Sequence, residues 1–396
     1  MRIALLAPLP PEQTGIADYA EQLRVSLEAV GVEVVTPLAG CGNDPLCALE
    51  RVRTFDWSGV ALVHAELGGG RLAEFHALRA LRERFAQLPL TSTVHDPERL
   101  VWRRASLPWP LSLVQRWPSP WPQAATVLTD PLCLYEERRL ANSLDALVTL
   151  TALGRNCLTR RMRLPEQRVQ VIAHGNQHIS AQPLPPLEPL RLLYFGFIYR
   201  GKGIEDLLDA LALVIRRQPQ FLRGVRLTLA GGSAPEMAFD AGESYIDQLR
   251  RRIVELGLES LIEWRLDLPS EVIAETIQAH HVVVLPYRES KKLRLLGAQR
   301  GTSGALSWAA ACGRGVITSD ARAFAEEVST GNGGIFAQGD VAALASQLQS
   351  LLEQPERCQQ WAERAAAIGQ ERLWPVTAQR FKALFTALCE GRDYAQ

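Results

Sequence analysis

Short apolar runs alternate with longer segments whose apolar residues recur at helical spacing, along the whole chain. This alternation predicts parallel sheets covered by helices, an α/β class. In the first half it predicts strands at Ile3–Ala7, Glu33–Thr36, Gly59–His64, Thr91–Val94, Ala125–Leu128 and Leu144–Leu150. Helices are expected at Ile16–Val30, Arg71–Gln87 and Leu153–Met162, and a strand at Val169–Ile172 leads to His174, Gly175 and Asn176. The second half repeats the rhythm with strands at Leu190–Phe195, Arg226–Ala230, Ile262–Arg265, Val282–Pro286 and Gly315–Thr318. Its helices are expected at Ile204–Arg217, Ser244–Leu256, Glu271–Ala279, Thr302–Ala311, Val341–Leu352 and from Pro355 to Glu390.

Between Ala181 and Pro189 the pattern breaks, and four prolines stand in that stretch. Such a density favours a stiff, extended connector. The expected division is therefore a domain over 1–182, a second over 190–370, and a helix over 371–396 that returns to the first. Each half reads as a doubly wound, Rossmann-like sheet. Such sheets bind ligands beyond the carboxyl ends of their strands, so the site is expected in a cleft faced by both domains.

The length of 396 residues supports the division, because single cores stop growing near ~250–300 residues. Lysine plus arginine and aspartate plus glutamate each number 43, so no net field draws the chain to nucleic acid and any anion site is local. Seven cysteines (Cys41, Cys47, Cys133, Cys157, Cys312, Cys358, Cys389) are scattered without a C-x-x-C pair. They read as reduced thiols and give neither a disulfide framework nor a zinc site. The apolar run after Met1 is stopped by Pro8 before it reaches signal-peptide length, and no stretch approaches the ~20 apolar residues of a membrane span. A cytoplasmic location is expected, free or peripheral at the inner face of a membrane.

The most informative chemistry lies in Phe195-Gly196-Phe197-Ile198-Tyr199-Arg200-Gly201-Lys202-Gly203, directly after a strand and before an amphipathic helix. Backbone N–H groups, the positive end of the helix and an ammonium together suit a phosphate. An ordinary strand-to-helix connection with an exposed lysine is the other reading. Gly15, in Pro10-Pro11-Glu12-Gln13-Thr14-Gly15-Ile16-Ala17-Asp18-Tyr19, either admits a ligand to the backbone or merely starts a helix. His64, Glu66, His95 and Asp96 stand at strand ends.

The order and spacing of these pieces resemble the GT-B glycosyltransferases, in particular the retaining, nucleotide-sugar-dependent group known as family 4, over nearly the whole chain. The resemblance is carried by Phe195–Gly203, by Arg226-Leu227-Thr228-Leu229-Ala230-Gly231-Gly232 and by Val283-Val284-Leu285-Pro286-Tyr287. It is carried further by the run from Ser303, Gly304 and Ala305 to Gly313 and Ile317, and by the Gly15 loop. It implies transfer of a hexose-like sugar from a nucleotide-diphosphate sugar to a hydroxyl of a glycan, a lipid-linked or a small-molecule acceptor.

By resemblance, His95, Lys202 and Arg200 are the catalytic candidates. Gly15, Gly196, Gly203, Gly231, Ser303, Gly304, Ala305 and Glu327 are the donor-binding candidates. Asp18, Tyr19, Glu66 and Asp96 lie on the acceptor side. No cofactor or metal is implied, and the absence of an Asp-x-Asp pair agrees with that. His64 and the pair His280-His281 read as structural, and His174 with Asn176 suits either the site or a turn.

The chain departs from the resemblance where many relatives carry two glutamates: Arg300 and Trp308 stand at those positions. A transfer-deficient GT-B protein that binds a sugar nucleotide or serves as a partner subunit is therefore the alternative function, with sugar-nucleotide epimerase chemistry a more distant one. Trp102, Trp109, Trp117 and Trp121 lie among prolines and arginines. They read either as buried rings or as a peripheral membrane contact.

Overall fold

The computed structural model describes residues 1–101, 113, 114, 117, 118, 120–232, 244–289, 296–298 and 300–391. Chain contacts divide it into two compact units. The first comprises Met1–Gly175, Lys291–Thr302 and Trp374–Gln396, and the second Asn176–Ser290 and Ser303–Leu373.

In the first unit, strands β1 (Arg2–Leu6), β2 (Glu33–Val35), β3 (Leu62–Leu67), β4 (Leu90–Val94), β5 (Ala146–Thr149) and β6 (Val169–Val171) form one sheet in the order β2-β1-β3-β4-β5-β6. Every pairing is parallel. The order reverses between β1 and β3, which makes that edge the switch point where a doubly wound sheet opens a crevice. Helix Trp374–Cys389 lays Trp374, Phe381 and Phe385 on this unit's core beside Ile3, Leu23 and Leu62.

In the second unit, β7 (Leu190–Phe195), β8 (Val225–Gly231), β9 (Ile262–Leu266), β10 (Val282–Leu285), β11 (Gly315–Ser319) and β12 (Gly333–Phe336) take the order β12-β11-β10-β7-β8-β9, again all parallel. The switch point falls between β7 and β10. Helix Ile204–Arg217 buries Ile204, Leu207, Leu208, Leu211 and Val214 on this sheet, the spacing of a helix with one apolar face.

Two expectations need correction, and one strand was missed. Ala125–Leu128 is not a strand: it lies inside helix Trp121–Ser143. Pro122 in the first turn favours a helix start, and Asp130 and Glu137, two turns apart on one face, both pair with Arg99. Strand β12 escapes the sequence pattern because Gly333 and Gly334 have weak strand preference; Gly333 is needed, since a Cβ there would run into the Val316 carbonyl. The cysteines are not all reduced, because Cys41 and Cys47 are joined in a disulfide. The short loop between β2 and helix Pro45–Thr54 brings them together.

The proline-rich stretch has no regular secondary structure and is held within the second unit. Buried Arg314 donates to the carbonyls of Gln182 and Pro183, and His281 Nε2 lies 3.1 Å from the Pro185 carbonyl. No helix among the described residues is long and apolar enough to cross a membrane.

Candidate active site

The crevice of the second unit is built from loops that leave the carboxyl ends of its central strands. After β7 the chain turns at Gly196 (φ 132°) and reaches Lys202 and Gly203 (φ 67°), which opens helix Ile204–Arg217. A side chain at Gly203 would collide with the Pro286 carbonyl, and one at Gly231 with the Gly196 carbonyl. These glycines let the ends of β7, β8 and β10 close on one another.

Lys202 is only 7% exposed. Its Nζ lies 3.7 Å from the ring centre of Tyr287 and 4.9 Å from that of Tyr199. Burial pushes the ammonium down to about 7; Tyr199 opposes this, and the nearby Arg322 charge adds to it. Among the described residues no carboxylate pairs with it. A buried cation held on aromatic faces without a counter-ion is a site that an anion would complete.

Tyr287 links Lys202 to the next element. Its hydroxyl lies 3.2 Å from Ser303 Oγ, at the start of helix Gly304–Ala311. The side chain of Ser303 makes no capping bond to that helix. A Cβ on Gly196 would sit 3.6 Å from the Tyr287 hydroxyl and 3.9 Å from Ala305 Cβ, so Gly196, Tyr287, Ser303 and Ala305 are neighbours. A Cβ on Gly304 would meet nothing within 4 Å.

Arg200 is exposed and reaches the other way. Its Nη2 donates to Gln248 Oε1 at 2.6 Å, and its guanidinium lies 5.9 Å from the ring centre of Tyr245. The cation that acts on Lys202 is Arg322, which sits 5.3 Å from the Tyr287 ring centre with φ 56°. Sequence reasoning missed it; the available signal was its position just past the carboxyl end of β11. Glu327 is buried and pairs with Arg372 at 3.2 Å.

The first unit gathers a second cluster on β3 and β4 and just past the end of β4. Glu66, fully buried, accepts a hydrogen bond from His95 Nε2 at 2.8 Å, and its other oxygen lies 3.3 Å from His64 Nε2. Burial alone would raise this carboxyl, but the two histidines outweigh it and hold it near 2. His64 is framed by Thr91 Oγ1 at 2.8 Å and Thr93 Oγ1 at 3.0 Å.

Tyr19 is buried and meets His95, His174 and Trp374 edge-on at 4.9, 5.1 and 5.2 Å. Asp18 is exposed in the first turn of helix Gly15–Ala29, and Asp96 accepts from the Gly69 N–H at 3.3 Å. Space is open above Gly15, where a Cβ would meet nothing within 4 Å.

The two departures from the glutamate pattern are both occupied structurally. Arg300 pairs with Glu98 at 3.4 Å, and Glu98 also accepts from the Ala298 N–H at 2.7 Å. Gly301 lies so close to the His95 carbonyl that no side chain fits there. Trp308 packs against the core of the second unit. His280 is confined by Thr276 and Thr228, with burial lowering it to about 4, and His281 accepts from the Arg191 N–H. Both are structural. Trp102 and Trp109 lie outside the described residues, whereas Trp117 and Trp121 are exposed and meet edge-on at 6.1 Å.

Two doubly wound parallel α/β units in one chain form the GT-B architecture, so the class read from the motifs holds for the fold. Residues 189–354 match the family described as "Glycosyl transferases group 1". The chain is similar to D-inositol 3-phosphate glycosyltransferase of Frankia alni, at 29% identity over 59% of this chain and 55% of the relative. It also resembles in structure the sucrose-phosphate synthase of Thermosynechococcus elongatus, with TM-score 0.72, 18% identity and coverage of 99% of this chain and 100% of the other. The Anabaena protein HepE in complex with UDP-glucose has TM-score 0.64 at 18% identity, covering 98% and 100%. The chain spans about half the length of the curated relatives it matches, 43% and 55% in two cases.

Proposed function

We propose that the protein is a glycosyltransferase that moves a hexose-like sugar from a nucleotide-diphosphate sugar to an acceptor hydroxyl, with retention at the anomeric carbon. The observation that carries this reading is Lys202: a buried ammonium, lowered to about 7 by burial and without a carboxylate partner among the described residues, at a glycine-bounded turn that opens a helix. A diphosphate supplies the missing negative charge. HepE, a neighbour in fold, is described in complex with UDP-glucose, which makes that compound the first donor to try.

On this reading the bond from the anomeric carbon to the diphosphate oxygen breaks while the acceptor oxygen bonds to the same face. The acceptor proton passes to the departing diphosphate. Negative charge grows on the leaving group, and Lys202, Arg322 and the backbone N–H groups at the starts of helices Ile204–Arg217 and Gly304–Ala311 stabilise it. No strong enzymic base and no divalent metal are then required. His95, fixed by Glu66, is assigned to the transferred sugar, and Asp18, Tyr19 and Asp96 to the acceptor side. A cytoplasmic location goes with such a donor.

Arg300 and Trp308, engaged with Glu98 and the second core, favour one competing reading, a sugar-nucleotide-binding partner without efficient transfer. A thermal-shift panel of nucleotide-diphosphate sugars, followed by product analysis on the best ligand, separates the two. A shift lost in Lys202→Ala, together with sugar transfer, is expected. A shift without transfer to any acceptor supports the partner reading, and the absence of any shift removes the donor site itself.

A further inference from the structure

Helix Trp121–Ser143 carries apolar residues on its exposed side as well as its buried one. Its inward face combines Ala125, Leu140 and Ala141 with charge: Asp130 and Glu137 both pair with buried Arg99, and Glu137 also accepts from the Leu100 N–H at 2.8 Å. Its outward face is apolar. Trp121, Ala124, Leu128, Leu132 and Tyr135 follow one another at helical spacing and are all exposed, Leu128 by 75% and Leu132 by 65%. Trp117 extends the stripe by an edge-on contact with Trp121. Exposed apolar residues are common singly, but a continuous stripe marks a surface that meets something apolar.

The charges around the stripe say what that is. Of the acids on this helix, Asp130 and Glu137 are held by Arg99 and Glu136 faces Arg79. At its carboxyl end the stripe runs into Arg138 and Arg139. Arg138 donates to the Arg161 carbonyl at 2.9 Å, which brings in the end of helix Ala152–Met162 with Arg160, Arg161 and Arg163. Arg139, Arg160 and Arg163 are exposed. The chain as a whole carries equal numbers of acids and bases, 43 of each, so this concentration is local.

We infer that the outward face of helix Trp121–Ser143, with the arginines at its carboxyl end, docks on an anionic lipid surface. Rings and aliphatic chains of this kind settle at the boundary of headgroups and acyl chains, and guanidinium groups meet lipid phosphate. A lipid surface accounts for both halves of the face. A second copy of the chain accounts for the apolar half alone, since among the described residues the stripe presents no free carboxylate to receive the arginines. The inference goes beyond the transfer reading and stands on this helix without it.

The test is co-sedimentation of the full chain with vesicles, in the absence of any sugar nucleotide. Binding is expected to phosphatidylcholine vesicles that contain phosphatidylglycerol, weaker to phosphatidylcholine alone, and weaker in high salt. Leu128→Gln with Leu132→Gln lies wholly on the surface and is expected to lower the affinity by about tenfold or more while thermal unfolding stays unchanged. Arg139→Glu with Arg160→Glu is expected to remove the preference for the anionic vesicles. The inference is overturned if the wild-type chain stays in the supernatant, or if the leucine pair binds like wild type. It is equally overturned if the chain is a dimer in solution that the leucine pair turns into a monomer, because the face then belongs to a second copy. The nucleotide-sugar shift is read separately, so either reading can fail alone.

Discussion

His95 Nε2 and Glu66 Oε2 lie 2.8 Å apart, and the carboxylate of that pair has no exposure to solvent. Glu66 is held near 2 against an ordinary value of 4.5: burial opposes the shift, and hydrogen bonds and charge from His64 and His95 produce it. A carboxyl lowered by folding contributes stability above its unfolded value and loses it as pH falls towards the folded one. Stability is therefore expected to decline between pH 4.5 and about 2. In Glu66→Gln that part of the acid limb is absent, and denaturant titration across the range measures the difference. The same substitution frees the His95 ring, so transfer is expected to fall by about tenfold or more while nucleotide-sugar binding to the second unit is kept. An unchanged acid limb in the variant would remove Glu66 from this account.

Lys202 predicts the opposite sign. Its folded value of about 7 lies below the ordinary 10.5, so the folded state binds fewer protons across that window and stability rises with pH from 7 to 10.5. Replacing the buried cation by a shape-matched apolar side chain relieves its desolvation. Lys202→Met is expected to unfold at the same or a higher temperature at pH 7, by up to about 3 kcal/mol, with the gain fading at higher pH. Yet it should lose about tenfold or more in affinity for the best nucleotide sugar, because a charge-assisted bond to phosphate is gone. A variant that is both less stable and still able to bind would contradict the anion site.

Two kinds of glycine border the crevices, and substitution tells them apart. Gly203 has φ 67° and no room beside the Pro286 carbonyl, so Gly203→Ala is expected to cost about 2 kcal/mol or more. Gly15 and Gly304 have open space where a Cβ would go. Gly15→Ala and Gly304→Ala should leave unfolding within about 0.5 kcal/mol of wild type, and weaken nucleotide-sugar binding or transfer if the space is used by ligand. Chemical denaturation and the thermal-shift panel read the two effects separately.

The second sheet was largely legible because its central strands β7, β10 and β11 are buried and read as mainly apolar runs, and Leu190–Phe195 and helix Ile204–Arg217 have the same bounds in sequence and structure. Helix Trp121–Ser143 was misread because several of its large apolar residues, Val127, Leu128 and Leu132, are exposed while Ala125 and Thr129 are buried, so Ala125–Leu128 gave no clear inward period to follow. The crevice of the second unit was legible at Lys202 and its glycines, where chemistry and turn geometry coincide in one short segment. Tyr287 and Arg322 follow separate strands, β10 and β11, and His95 after β4 meets Glu66 on β3, so only the order of strands in each sheet brings either pair together. Position beyond a strand's carboxyl end was the single hint, and it does not say which side chain turns inward.

Arg314 offers a test of how the proline-rich stretch is fixed. Its guanidinium is buried and donates to six carbonyls: His280, Gln182, Cys312, Gly313, Pro183 and Gln278. Burial lowers it, since no carboxylate lies among these partners. The planar fork can serve so many acceptors at once, and an ammonium cannot. Arg314→Lys is expected to destabilise the protein by about 2–4 kcal/mol, because several buried carbonyls lose their donor. It should also speed protease cleavage near Gln182 and Pro183, which Arg314 anchors. If cleavage there is unchanged while global stability falls, the anchoring of the stretch rests on His281 and its neighbours instead, and His281→Ala should then release it.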